Sequence, residues 1–111
     1  MDVYKIIIVF TSLSFILYGL NSFVSKKMIS EFKRWGLEKR RKQIGVFQLL
    51  CGFGMLTGLN YNILLIYSSI ILVIMMLVAV FVRIKIKDNI SEIIPALAYL
   101  TLAINILQKF L

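Results

Sequence analysis

Three stretches of this chain carry no Asp, Glu, Lys or Arg: residues 6–25, 43–82 and 93–108. Nothing else in the sequence restricts the fold as tightly. A helix rises about 1.5 Å per residue, so about 20 apolar residues cross the roughly 30 Å of hydrocarbon in a bilayer. The first stretch is therefore one span. The second, at 40 residues, is two spans and a turn. The turn falls at Gly58-Leu59-Asn60-Tyr61-Asn62, where glycine and asparagine tolerate left-handed backbone. The third is short, but Leu111 extends it, and Lys109 can reach the headgroups while its methylenes stay in lipid. Composition agrees: 60% of residues are hydrophobic and 16% charged, against about 25% charged in soluble domains. The chain is expected to be an all-α integral membrane four-helix bundle. It would form a single transmembrane domain over residues 1–111, with helices near 4–24, 43–59, 62–83 and 91–110. No small-x-small cleavage site follows the first helix and Lys26-Lys27 come directly after it, so a retained span is expected.

The charges set an orientation. Lys26, Lys27, Lys33, Arg34, Lys39, Arg40, Arg41 and Lys42 lie between the first two helices, and Arg83, Lys85 and Lys87 between the last two. Lys5 and Lys109 lie on the other side. Basic residues in short loops stay in the cytoplasm. Loops 26–42 and 83–90 are thus expected inside, and both termini and the Asn60 turn outside. The partners this implies are the lipid bilayer and, at the basic loop, anionic headgroups. Nucleic acid is not expected for so short a loop between spans. Met28, Ile29, Phe32 and Trp35 follow helical spacing, with Lys26, Lys27, Lys33 and Arg34 on other faces. This predicts a short interfacial amphipathic helix with Phe32 and Trp35 as lipid-facing anchors, ended by Gly36. Asn89 and Glu92 have the spacing of a capping box opening the last helix, and Pro95 is best placed near its first turn.

Chemistry-bearing residues are few. The net charge is +8 and there is no histidine, which excludes His-ligated haem, the usual zinc sites and His-based nucleophilic catalysis. One cysteine, Cys51, cannot make a C-x-x-C redox pair. No catalytic residue, metal ligand or cofactor is expected. A proton-coupled exporter needs an ionisable group inside the membrane. Small multidrug exporters are similar in length and use a carboxylate in the first helix, and residues 6–25 have none. Polar groups within the spans are Tyr18, Asn21, Gln48 and Asn105, which could converge on a ligand. In the second helix, Gly45 and Gly52 share one face, and Gly54 and Gly58 lie on another. Small residues let helix backbones approach closely, so these four are expected to be packing positions.

Several features occur in an order that resembles the DoxX-like family of small bacterial membrane proteins. They are Tyr18-Gly19, then Phe32-Lys33-Arg34-Trp35-Gly36-Leu37, then Gly45-Val46-Phe47-Gln48-Leu49-Leu50 with Gly52, Gly54 and Gly58. Ala79-Val80, Asp88 and Ile94-Pro95-Ala96 follow. The resemblance implies a four-helix fold in the bacterial cytoplasmic (inner) membrane, multi-pass. Together with a glycine-rich second helix beside an interior poor in polar groups, it points to an accessory or structural subunit without chemistry of its own. Such a subunit would form a homo-oligomer or join a larger membrane complex, such as a quinone-linked one. The alternative is a binder or carrier of a small lipophilic molecule, a quinone or lipid, within the bundle; a small exporter ranks behind both. Members often carry histidine near the end of the third helix, where this chain has Arg83.

Overall fold

A computed structural model describes residues 3–111. Five helices follow in order: α1 (Val3–Val24), α2 (Lys26–Arg34), α3 (Arg41–Thr57), α4 (Asn62–Lys85) and α5 (Ile90–Phe110). A 3-10 turn, Glu38–Arg40, leads into α3. Three of them, α1, α4 and α5, are long and apolar enough to cross a membrane. Their outward faces suit lipid rather than water: Phe10, Leu13, Leu17, Leu77 and Phe81 are all more than half exposed. An uncovered apolar surface of this extent marks a membrane or partner contact.

The long helices pack side by side in the order α1, α3, α4, α5, and α5 returns to touch α1. Their directions alternate. Gly52 faces Ser12 and Ile16 of α1 while Gly45 faces Ser22 and Phe23, so the numbering of the two helices runs in opposite senses. Gly58 and Gly54 face Leu65 and Ser68 of α4 in the same antiparallel manner. Tyr4 meets Phe110, and Phe10 stacks on Tyr99, which sets α5 antiparallel to α1. The core between them is Ile8, Phe15, Met55, Leu65, Leu72, Ala103 and Ile106, each at most 1% exposed.

The closest approach is between α1 and α3. A Cβ on Gly52 would lie 2.9 Å from both the Ile16 nitrogen and the Ser12 carbonyl oxygen, so the two backbones touch where α3 has no side chain. At the α3–α4 turn, Gly58 plays the same part against the backbone of Leu65. Its φ is −63°, an ordinary helical value. Among the described residues only Gly36 and Lys87 have positive φ. The left-handed turn expected at Gly58 and Asn60 is therefore not formed; close helix approach, not φ, is what uses the glycine.

The two positive-φ residues end α2 and α4 identically. The Leu37 nitrogen donates to the Phe32 carbonyl and Gly36 to Lys33; the Asp88 nitrogen donates to Arg83 and Lys87 to Ile84. Both pairs are Schellman closures, which need a left-handed residue just past the helix. Gly36 takes that conformation freely, whereas Lys87 holds it at φ 57°.

The start of α5 differs from expectation. Asn89 caps α5 with extended backbone but makes no side-chain cap bond, so the Asn89–Glu92 capping box does not form. Glu92 instead sits 3.7 Å from Arg83. Pro95 lies inside α5, one turn deeper than the first. Ser25 caps α2, its hydroxyl accepting from the Met28 nitrogen. Three hydroxyls on the spans are satisfied locally: Ser12, Ser14 and Thr101 donate to the carbonyl four residues back, which requires no second helix, whereas the buried hydroxyls of Thr11 and Ser69 have no hydrogen-bond partner among the described residues. Cys51 is buried and its Sγ lies 3.8 Å from the Ser68 carbonyl, a packing position.

Candidate functional site

At the end of the helices where the basic loops lie, the interior opens into a cavity of about 550 Å³. This is within the 300–1,000 Å³ range of small-molecule sites. Its walls are mostly apolar, with Phe15, Ile44, Met75, Val78, Ala79 and Ala96 among them. Helix α2 lies across it: Met28, Phe32 and Trp35 line the cavity, and Phe32 is 2% exposed. The expected lipid-facing side of this helix is thus turned inward, and only Ile29 of the four points out, at 41% exposed. An amphipathic helix buries its apolar stripe on whatever apolar surface is nearest. Here that surface is the cavity mouth.

Contacts at the mouth fasten α2 in place. The Phe32 and Trp35 rings meet edge to face at 5.0 Å. The Arg83 guanidinium sits 4.7 Å above the Trp35 ring, a cation–π contact. Arg83 Nη1 donates to Asp88 Oδ2 at 2.9 Å, and Arg34 of α2 reaches the same carboxylate at 3.3 Å. Arg34 also pairs with Glu31 one turn back. Asp88 therefore joins the end of α2 to the end of α4. Its hydrogen bond from Arg34, helped by Arg83, holds its carboxyl below the usual carboxylate range. Arg34 is raised correspondingly by its bonds to Glu31 and Asp88. Nearby, Arg41 donates to the carbonyls of Ser22 and Phe23 and so satisfies the end of α1.

Deeper in, the polar groups are uncharged. Tyr18, Gln48 and Tyr99 line the cavity. Ser22 Oγ donates to Gln48 Oε1 at 2.7 Å and lies 2.9 Å from the Tyr18 carbonyl. The Tyr99 ring gathers Phe10, Phe15 and Tyr18 around it at 5.2–6.1 Å and closes α5 against α1.

Of the four polar residues expected to converge on a ligand, the structure brings Tyr18 and Gln48 together. Asn21 and Asn105 do not join them: both are exposed on outer helix faces, Asn105 far along α5 from the cavity. Tyr99, Trp35 and Arg83, which are not among those four, line the same space. Their sequence signal was helical spacing: Tyr99 follows Pro95 by four residues, and Arg83 closes the charge-free run of α4. The glycines lie at the two faces of α3 described above, Gly45 and Gly52 against α1, Gly54 and Gly58 against α4. Among the described residues no group of three His, Cys, Asp or Glu side chains could hold a metal ion.

Comparison with protein-family models finds a match to the DoxX-like family over residues 6–106. Comparison with curated proteins and with solved structures gives no match.

Proposed function

The chain belongs to the DoxX-like family, and from that premise we propose that this membrane protein binds a small lipophilic molecule in the cavity covered by α2. The observation that carries this reading is the cavity itself. It is apolar, lies at the end of the helices, and presents an amide and two phenols to its interior. Apolar walls with a few placed polar groups are the usual composition of a small-molecule site.

The reading includes a topology. Helix α3 has 17 residues, about 25 Å at 1.5 Å per residue, near the lower limit for a span. As the fourth span it completes a four-helix bundle in the bacterial cytoplasmic membrane. The positive-inside pattern then puts α2 and the cavity mouth at the cytoplasmic leaflet and both termini outside. An accessory role in a larger complex drew its support from the glycines of α3. Those glycines are turned toward α1 and α4, which leaves the cavity as the stronger ground.

Native mass spectrometry of gently solubilised protein tests the proposal. One lipophilic molecule per chain is expected to stay bound. It should be lost from Ala79→Phe, which fills the cavity from α4. Adducts of indefinite number, equal in both proteins, would remove the proposal.

A further inference from the structure

Four charged side chains line the cavity: Lys27, Glu31, Arg83 and Glu92. Three of them are committed. Glu31 pairs with Arg34, and Arg83 pairs with Asp88 at 2.9 Å and with Glu92 at 3.7 Å. Lys27 is in no ion pair among the described residues. It is exposed, so its ammonium stands at the mouth, where water still reaches it. It also lies in the first turn of α2, where the helix dipole adds positive potential. The uncharged groups point the same way. Trp35 Nε1 is a buried donor without a hydrogen-bond partner among the described residues. In either orientation of the Gln48 amide, the single Ser22 hydroxyl hydrogen leaves at least one Gln48 N–H uncommitted. What this lining lacks is acceptors.

Resting on the lipophile-binding reading, we infer that the occupant is an amphiphile with an anionic head, a long-chain carboxylate, and that Lys27 is the residue that selects it. The carboxylate sits at the mouth against Lys27, and the chain runs inward among Phe15, Met75 and Val78. A carboxylate only accepts hydrogen bonds, and its bond from an ammonium is stronger than one between neutral groups. At the mouth it keeps part of its hydration, which avoids most of the cost of burying a charge. A neutral ester gains the same chain contacts without the ion pair. A cationic head would have to share Glu31 or Glu92 with an arginine that already holds it, and Lys27 would repel it.

Trp35 is the only tryptophan and lines the cavity, so its fluorescence reports occupancy. In phosphatidylcholine nanodiscs at pH 9, where the acid is ionised, 9,10-dibromostearate and its methyl ester are compared at equal mole fraction in the bilayer. Both are expected to quench saturably, the carboxylate binding at least about tenfold more tightly, the factor that about 1.4 kcal/mol gives. Lys27→Gln should bring the two close to parity, and Lys27→Arg should keep the preference. Lys33→Gln removes the same charge from the same helix at an exposed residue outside the cavity lining and should keep it too. Carboxylate binding no tighter than that of the ester would overturn this inference and leave the lipophile site standing. So would an equal loss of preference in Lys27→Gln and Lys33→Gln, which would assign it to the basic surface as a whole. If neither compound quenches saturably, the lipophile site itself fails.

Discussion

Replacing Gly52 with alanine tests the packing that shapes the cavity wall. The added Cβ would lie 2.6 Å from Ile16 Cγ1 and 2.9 Å from two backbone atoms of α1. Ordinary contact begins near 3.4 Å, so the backbones must part by about half an ångström. The Ile16 side chain can turn away; the backbone atoms cannot. Overpacking of this kind costs about 1–3 kcal/mol, and van der Waals contact is a main attraction between helices in lipid. Gly54→Ala is the matched control. Its Cβ would meet Ser68 Oγ at 2.3 Å, with the next atom at 3.5 Å, so rotation of one hydroxyl relieves the clash. Its cost should stay below about 1 kcal/mol, as for a change that needs no backbone shift. The assay is reversible unfolding from mixed micelles by rising sodium dodecyl sulfate. The helices persist in that unfolded state, so the higher helix propensity of alanine largely cancels. Gly52→Ala should unfold at a clearly lower detergent fraction than Gly54→Ala. Equal midpoints, or a more fragile Gly54→Ala, would refute the claim that α1 and α3 touch through their backbones at Gly52.

Three further outcomes follow from the contacts at the mouth and from the topology. Asp88 is depressed in the folded chain, so its contribution is present above the ordinary carboxylate value of about 4 and is lost as pH falls through its lower folded value. Trp35 emission should therefore hold constant from pH 8 to 5 and shift red only in more acid solution. Asp88→Asn should show the shifted spectrum at all these pH values. Phe32→Ser removes a buried ring, a loss of roughly 1.5–3 kcal/mol; it should free α2, shift Trp35 emission red and expose it to iodide added from the cytoplasmic side, while α1, α3, α4 and α5 stay inserted. In a Cys51→Ser background, a cysteine at Asn60 should react with a membrane-impermeant reagent in intact cells and one at Lys39 should not; the opposite labelling would reverse the proposed orientation.

The helices were legible in the sequence because lipid imposes one rule, freedom from charge over a span, and residues 6–25, 43–82 and 93–108 obey it. The stop at Gly36 was legible for a local reason, since glycine alone takes positive φ without penalty. The matching stop at Lys87 was not, because a lysine gives no such signal. Tyr18 and Asn21 look alike in sequence as polar residues near one helix end. They are three positions apart, but Tyr18 turns to the cavity and Asn21 to the outside, which only the placement of neighbouring helices decides. The orientation of α2 was illegible for a related reason. Amphipathic spacing says that Met28, Phe32 and Trp35 seek an apolar surface, without saying whether it is lipid or protein. The Arg34–Asp88–Arg83 cluster joins two loops 54 residues apart, and no local pattern announces it.

An occupant seated beneath α2 is tested most directly by photo-crosslinking. A long-chain methyl ester carrying a diazirine near its head is added to the protein in native membranes, and the labelled residues are mapped by mass spectrometry. Labels are expected on cavity residues of several helices at once, Tyr18, Met28, Gln48 and Met75, and should fall sharply in Ala79→Phe. Labels confined to the outward-facing Leu17, Leu77 and Phe81, unchanged by that substitution, would show that the molecule stays in the surrounding lipid and would contradict the account.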